Sequence, residues 1–267
     1  IIEEKDATKE QKSINEVNSG ILAIKSTLIK KLLPEIKNNN AAKEYYLTDI
    51  VSLSKKHGIK VQPLLLEDPD EALGANTPLE LQDLERACQR IRAKKLVNSG
   101  VNIADIDRID SRGSLTVGRG SFIDVNNVFE GCVQIGKNTK IGPNCYIKDS
   151  VIGNGVALKA NTIIEDSRVG DLCKLGPFAR IRGGTEIEGN AELGNFVEAN
   201  RSKIGMESKA KHLTYLGDSN LGRKVNIGAG TITCNYDGKN KHKTKLDDEA
   251  FIGSNTSLVA PVKVGKW

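Results

Sequence analysis

The residues best suited to ligand binding or proton transfer are concentrated in the C-terminal part of the chain. Residues 228–244 begin with Gly228-Ala229-Gly230 and end in a basic run that includes Lys241 and His242. Just before this stretch, His212 lies in a polar segment flanked by lysines. Only three histidines occur among the 267 residues, and histidine is the side chain that exchanges a proton most readily near neutral pH. We therefore expect a site for an anionic ligand here, with His212 either as a base or as an ordinary surface histidine.

The bulk composition excludes several classes of protein. The net charge of +5 is modest and dispersed, so it suits anionic small molecules and does not indicate nucleic-acid binding. Five cysteines (Cys88, Cys132, Cys145, Cys173 and Cys234) show neither CxxC nor metal-ligand spacing, which indicates reduced thiols in a cytoplasmic protein. No apolar run has the length of a transmembrane helix, and no signal segment is recognisable. We therefore expect a cytoplasmic protein without membrane insertion.

A six-residue period dominates the chain from about residue 115. Aliphatic residues recur at this spacing in four series, which are Val169-Leu175-Ile181-Ile187-Leu193, Ile135-Ile141-Ile147, Ile152-Leu158-Ile164 and Leu246-Ile252-Leu258-Val264. Six residues supply one short strand and one turn, so three hexads close a triangular coil, and stacked coils bury a continuous aliphatic column. Such a column also accounts for an aromatic content of only 4%. The hexapeptide form is typical of left-handed parallel β-helices, and a β-sandwich would have to match four series by chance.

The first part of the chain has a different pattern. Short apolar runs at residues 20–24 and 59–66 predict strands, while residues 26–33 and a segment capped by Thr48 predict helices, so residues 1–77 resemble part of an α/β domain. Thr77-Pro78-Leu79-Glu80 is a capping box, and Gly100 is a suitable stop. We therefore divide the chain into an α/β region (1–77), a linker helix (78–100) and a β-helix domain (101–267), with Leu81, Leu84, Cys88 and Ile91 predicted to form the apolar face of the helix.

Long motifs in this chain resemble one known family. They are Gly176-Pro177-Phe178-Ala179-Arg180, Gly194-Asn195-Phe196-Val197-Glu198, Lys211-His212-Leu213-Thr214-Tyr215-Leu216-Gly217-Asp218, Asn226 through Gly238, Glu3-Glu4-Lys5-Asp6-Ala7 and Glu44-Tyr45-Tyr46-Leu47-Thr48-Asp49. The family is the bacterial bifunctional N-acetylglucosamine-1-phosphate uridyltransferase/glucosamine-1-phosphate N-acetyltransferase, and the resemblance covers essentially the whole chain. It implies acetyl transfer from acetyl-CoA to glucosamine-1-phosphate, in a homotrimer with active sites between subunits. In the full-length protein it also implies synthesis of UDP-N-acetylglucosamine from UTP for the cell wall.

The resemblance also assigns roles to individual residues of the acetyltransferase site. His212 would be the catalytic base. The acceptor-binding residues would be Arg182, Asn200, Tyr215, Asn226 and Lys241, and the acetyl-CoA-binding residues would be Ala229, Asn235, Tyr236 and Ser254. Acetyl transfer to an amine needs a base, hydrogen-bond donors for the thioester oxyanion and cations for the sugar phosphate. Without the resemblance, these side chains would be read as packing, turn or solvated surface residues.

Two positions depart from the family. Asn200 stands where a lysine is usual, which removes one cation from the phosphate site, and the adjacent Arg201 is not expected to replace it, because neighbours on a strand point to opposite faces. Gly183 stands where proline is usual, and only a local gain in flexibility is expected from it. The departure at Asn200 predicts weaker binding of the acceptor or a somewhat different acceptor.

In the first region the resemblance implies a uridyltransferase half that uses Mg²⁺. Glu3 and Asn18 would contact the sugar nucleotide, and Asn76 would bind both the nucleotide and the metal. The glycine-rich phosphate loop and the metal-binding aspartate of that half would precede Ile1, and further coils would follow Trp267. We therefore expect a chain without both ends of its family, without uridyltransferase activity and with an incomplete coenzyme site.

Two alternative functions remain open. The β-helix could serve as a trimerisation scaffold with an impaired site, which Asn200 would explain. It could also belong to another hexapeptide-repeat acyltransferase that uses serine or a tetrahydrodipicolinate-type acceptor, although the Asn235-Tyr236-Asp237-Gly238 loop and the α/β region argue against that.

Overall fold

A computed structural model describes residues 1–67, 69–72 and 74–266. The chain divides into two compact units, Ile1–Leu84 and Glu85–Trp267. None of the helices among the described residues is both long enough and apolar enough to cross a bilayer. All five cysteines are free thiols, and burial raises the pKa of both Cys145 and Cys173 to about 11.

The described part of the first unit contains helices and no strand. Its helices are α1 (Ser26–Leu32) and α2 (Asp49–Lys56), with 3₁₀ turns at Glu4–Asp6, Gln11–Ser13, Leu33–Glu35 and Pro69–Ala72. Leu32 and Ile50 are buried between them with Ile36. Both predicted helices are confirmed, but the Thr48 hydroxyl does not cap α2, because it donates to a Glu3 carboxylate oxygen at 3.0 Å.

The two strands predicted in this unit, at residues 20–24 and 59–66, are wrong. The first strand of the described chain begins only at Asn102. A strand exists only where a second strand pairs with it, whatever the β-propensity of its residues. Ile21, Leu64 and Leu65 are 75%, 89% and 83% exposed. These side chains are therefore left uncovered by the described part of the unit, whereas Ile24 packs against its buried cluster.

Helix α3 (Pro78–Asn98) is the predicted linker helix. Its capping box forms as expected, since the Glu80 N–H donates to the Thr77 hydroxyl at 3.2 Å and the Thr77 N–H to the Glu80 carboxylate at 3.1 Å. At the other end Gly100 has φ +94°, which lets its own N–H donate to the Val97 carbonyl at 2.9 Å and the Val101 N–H donate to the Leu96 carbonyl at 3.1 Å. The predicted ends of the helix are confirmed.

The buried face of α3 differs from the predicted one. Ala87, Gln89 and Ala93 are buried, whereas Leu81 is 59% exposed. Gln89 is buried because its amide is fully used, accepting from the Ser111 N–H at 2.8 Å and donating to the Ser111 carbonyl at 3.1 Å. A polar side chain satisfied in this way can be buried at little cost, which hydrophobic spacing alone does not indicate.

The second unit is a parallel β-helix, as predicted from the hexads. Its strands are β1 (Asn102–Ile103), β2 (Ile109–Val117), β3 (Phe122–Ile123), β4 (Asn127–Ile135), β5 (Lys140–Ile141), β6 (Tyr146–Lys148), β7 (Val151–Ile152), β8 (Ala157–Leu158), β9 (Ile163–Glu165), β10 (Arg168–Val169), β11 (Lys174–Leu175), β12 (Arg180–Arg182), β13 (Glu186–Ile187), β14 (Glu192–Asn200), β15 (Lys203–Ile204), β16 (Lys209–Gly217), β17 (Ser219–Leu221), β18 (Asn226–Ile227), β19 (Ile232–Cys234), β20 (Thr244–Leu246), β21 (Phe251–Ile252), β22 (Ser257–Val259) and β23 (Val262–Val264).

Strand pairing defines three faces of this β-helix. Lys140, Ala157, Lys174 and Glu192 are successive register partners on what we call the first face, about one coil apart in sequence. The second face contains β6, β9, β12, the C-terminal ends of β14 and β16, then β19 and β22. The third face contains β7, β10, β13, β15, β17, β20 and β23.

The predicted aliphatic column fills the interior. Ile141, Leu175, Ile181 and Leu193 are each at most 1% exposed, and the other predicted hexad positions are buried, apart from the half-buried Val264. Full burial of one such side chain stabilises the fold by about 1.5–3 kcal/mol. This column fixes the position of every residue on the outer faces.

Candidate functional site

His212 lies in a vertical row of residues at the corner between the first and second faces, which we call the histidine corner. One residue of each coil occupies the row: Asn195, His212, Ala229 and Ser254. Asn195 and His212 are register partners of β14 and β16. The coils above are joined by hydrogen bonds from Gly230 N–H to the Leu213 carbonyl at 3.0 Å and from Asn255 N–H to the Ala229 carbonyl at 2.8 Å. The structure therefore brings the predicted base and two predicted acetyl-CoA residues together.

The His212 side chain is exposed at this corner. Among the residues that the structure describes, none forms a hydrogen bond with its imidazole, so this side chain is available to a ligand. Beside it stand Phe178, Phe196 and Leu213, which are 48%, 55% and 61% exposed. All three have positive φ, between +47° and +56°, where other coils place Asn or Gly, and this conformation is unfavourable for bulky residues. The corner thus exposes an apolar ladder, in which the two phenylalanine rings stack 5.2 Å apart.

Arg182, Glu198 and Tyr215 form a polar group on the second face. Glu198 and Tyr215 are register partners on neighbouring coils. One Glu198 carboxylate oxygen accepts a hydrogen bond from the Arg182 Nε–H at 2.8 Å and forms an ion pair with a terminal guanidinium nitrogen at 2.7 Å. The guanidinium is therefore held in place, with donors still available for a phosphate. Glu198 was not identified from the sequence as part of this group.

Asn200 lies at the C-terminal end of the same face but is buried. It is 3% exposed, and its Oδ1 has no hydrogen-bond partner among the described residues. A Cβ at Gly183 would lie 2.4 Å from this oxygen, and Gly183 has φ +67°, which proline cannot adopt. The expectation that Gly183 adds only flexibility is therefore wrong, since the glycine makes room for Asn200. The Asn200 amide is not presented at the surface of this chain.

Arg201 is also unable to supply the missing cation. It is bound in a fork to the carboxylate of Asp218, at 2.7 and 2.8 Å. The Arg201 guanidinium holds the pKa of Asp218 below its usual range, and the Asn235 amide, which donates to the same carboxylate at 2.5 Å, acts in the same direction. Asn235 itself is 8% exposed. Its predicted contact with acetyl-CoA would have to be made from a nearly buried position, and Asp218 is a second residue that sequence reasoning missed.

Tyr236 and Lys241 lie in the loop that follows Asn235, and both are exposed. Asn226 lies on the first face, where it is the register partner of Lys209. It borders an open groove of about 880 Å³, whose lining also includes Lys174, Glu192 and Lys224. The groove lies beside the histidine corner and does not include His212.

The predicted acetyltransferase residues therefore do not form one cluster, since Arg182 and Tyr215 lie on the second face, Asn226 lies on the first face, and the others lie at the two corners of the second face. His212, Ala229 and Ser254 are at the histidine corner, while Asn235 and the loop with Lys241 are at the opposite corner, beside Asp218. Four extended residues, 214–217, separate the two corners along β16, or roughly 13 Å. A sugar phosphate cannot bridge this distance within one chain.

The predicted sugar-nucleotide residues lie in the described part of the first unit and are not joined to one another by hydrogen bonds. Asn76 is exposed, and its backbone N–H is bonded to Glu80 at 2.7 Å. No hydrogen bond among the described residues joins Glu3, Asn18 and Asn76 to one another. The part of the chain that the structure describes contains no group of three His, Cys, Asp or Glu residues able to hold a metal. One neutral amide is too weak a ligand set for Mg²⁺, so these residues do not fit that ion.

Comparison with known proteins identifies relatives of this chain. A family model described as the GMPPB C-terminal domain matches residues 111–235. The curated bifunctional protein GlmU of Marinobacter nauticus is 53% identical over the whole chain, and that of Idiomarina loihiensis is 51% identical. The chain spans 59% and 58% of the length of these two relatives.

Among solved structures, the UDP-N-acetylglucosamine acyltransferase of Francisella novicida has a similar fold. Its TM-score is 0.52 at 17% identity, and the match covers 61% of this chain and 66% of that one. Its similarity supports the β-helix fold alone. With about half of its residues identical to these curated relatives along its entire length, the chain belongs to the bifunctional GlmU family.

Proposed function

We propose that this chain transfers the acetyl group of acetyl-CoA to the amine of glucosamine-1-phosphate. The observation that carries the proposal is the row at the histidine corner, where the exposed His212 lies directly below Ala229 and Ser254. These positions match the family's base and coenzyme residues. Arg182, held by Glu198 on the adjoining face, supplies a guanidinium suited to a phosphate.

In the proposed reaction, His212 takes a proton from the acceptor's ammonium group. The freed amine nitrogen attacks the thioester carbonyl carbon, which forms the C–N bond and leaves an oxyanion on the carbonyl oxygen, and the C–S bond breaks when this oxyanion collapses. The nitrogen gives up its second proton, and the thiolate of coenzyme A leaves and is protonated. Hydrogen-bond donors near Ser254 would stabilise the oxyanion that forms on the way.

Acceptor-dependent release of coenzyme A tests this proposal. With acetyl-CoA and a thiol reagent, release should rise when glucosamine-1-phosphate is added and should not rise with serine. Release with serine alone would favour another hexapeptide-repeat acyltransferase. No release with any acceptor, even after Asn200→Lys and in the whole protein, would contradict acetyl transfer and favour a scaffold.

We also propose that three copies assemble and that neighbouring copies complete each site. The separation of the predicted residues over two corners of one face supports this, as does the exposed apolar ladder of Phe178, Phe196 and Leu213. Light scattering after size-exclusion chromatography should give three times the 28.9 kDa mass of the chain. A monomer at assay concentration would contradict the proposal, and Phe196→Lys should shift a trimer towards monomer.

For the whole protein we propose the second activity of the family, uridylyl transfer from UTP to N-acetylglucosamine-1-phosphate with Mg²⁺, giving UDP-N-acetylglucosamine. The named relatives are bifunctional, which supports the proposal. Uridyltransferase assays of the whole protein, with and without Mg²⁺, test it. We propose the cytoplasm as the location, because five free thiols suit a reducing compartment, and cell fractionation tests this.

A further inference from the structure

The loop after Asn235 is a small hairpin with its own hydrogen bonds. Its facing pairs are Asn235 with His242, Tyr236 with Lys241, and Asp237 with Asn240. The His242 N–H donates to the Asn235 carbonyl at 2.8 Å, and the Asp237 N–H to the Asn240 carbonyl at 3.2 Å. Tyr236 and Lys241 form an antiparallel bridge between them. The loop therefore has a defined register.

One side-chain pair crosses this hairpin. The His242 Nε2 lies 2.7 Å from Oδ2 of Asp237. The other oxygen of Asp237 accepts the backbone N–H groups of Asn240, at 2.6 Å, and Lys239, at 2.8 Å. These backbone hydrogen bonds, together with His242, hold the pKa of Asp237 well below its usual range. Asp237 is thus an ionised centre that fixes both the turn and the returning strand.

The geometry of a hairpin decides what this pair does to its neighbours. Asn240 faces Asp237, and His242 lies two residues after Asn240. Asp237 and His242 are therefore diagonal neighbours in the hairpin. Successive side chains of a strand project to opposite faces. Tyr236 and Lys241, which face each other, therefore project together from the face opposite to the Asp237–His242 pair.

We infer that the Asp237–His242 pair is a positioning device that holds Tyr236 and Lys241 ready for the coenzyme and the acceptor phosphate. The inference rests on the proposed function, which gives those two residues their ligands. The pair touches neither ligand and acts through the backbone of the hairpin. Its loss should weaken substrate binding and leave the chemical step unchanged.

Two measurements on the full chain test this. In His242→Ala, amide hydrogen exchange of residues 236–242 should become faster by up to about fivefold, which is the upper end of the range for one exposed side-chain pair. The KM for glucosamine-1-phosphate should rise by a similar factor, up to about five, with kcat unchanged. His242→Gln keeps an N–H donor and should restore part of both effects.

The matched control is His57→Ala. His57 pairs with Glu35 at 2.9 Å in the first unit, and its side chain is 33% exposed, against 32% for His242. Neither loop exchange nor KM should change in this variant. Unchanged exchange in His242→Ala would overturn the inference, and so would a loss confined to kcat. Absence of acetyltransferase activity would contradict the proposed function. Because hydrogen exchange needs no turnover, the exchange measurement would still decide whether the pair orders the hairpin.

Discussion

Replacing His212 by alanine should reduce acceptor-dependent release of coenzyme A by about 10²- to 10⁴-fold, which is the usual contribution of a general base. The imidazole is exposed at the corner and is not hydrogen-bonded to any described residue, so its removal breaks no internal contact. The loss should therefore appear in kcat, while the circular dichroism spectrum and the thermal transition remain those of the parent chain.

The control for this experiment is a histidine outside the β-helix. His57→Ala removes an imidazole from the first unit and should keep full activity. If His212→Ala also kept full activity, the β-helix would be a scaffold or would use another base. Azide or imidazole added to His212→Ala provides a further check, since a small external base can enter an exposed corner.

Replacing Ile181 by alanine should lower the free energy of unfolding by about 2–5 kcal/mol. Ile181 is fully buried, in register with Ile164 below it and Ala199 above it. Because the interior is one stacked column, the methyl groups that are lost leave a cavity that Ala199 is too small to fill. Urea unfolding followed by circular dichroism measures the effect.

Ile163→Ala is the matched control for this prediction. Ile163 has the same side chain in the neighbouring coil but is 37% exposed, so its truncation should lower the unfolding free energy by only about 1 kcal/mol or less. Equal losses in the two variants would contradict the stacked-column interior. A loss below about 1 kcal/mol for Ile181→Ala would do the same.

Most of the β-helix and the ends of α3 could be predicted from the sequence, because both depend on local rules. Hexad spacing alone places Ile181 in the interior of its coil. Thr77 and Glu80 act within the first turn of α3, and Gly100 acts at its last turn. The strand predictions at residues 20–24 and 59–66 were wrong because strand formation depends on a partner strand that can be distant in sequence, and a local pattern carries no information about that partner.

The site was only partly predictable for a related reason. The motif residues were recognised one by one, but their contacts join successive coils. Arg182 binds Glu198, Arg201 binds Asp218, and Asp218 binds Asn235, each pair 16 or 17 residues apart. The coil length was available from the repeat and could have indicated these partners. The burial of Asn200 against Gly183 was not available, since it depends on the backbone conformation at the corner.

The row at the histidine corner has a consequence for the size of ligand it can accept. His212 and Ala229 are 17 residues apart and Ala229 and Ser254 are 25 apart, yet each pair is one coil apart in space, because the hairpin loops out of the second interval. Neighbouring strands are about 4.8 Å apart. An extended ligand lying along this corner would pass one new side chain for every three or four of its bonds. The number of coils above His212 therefore sets the length of ligand that the corner can contact.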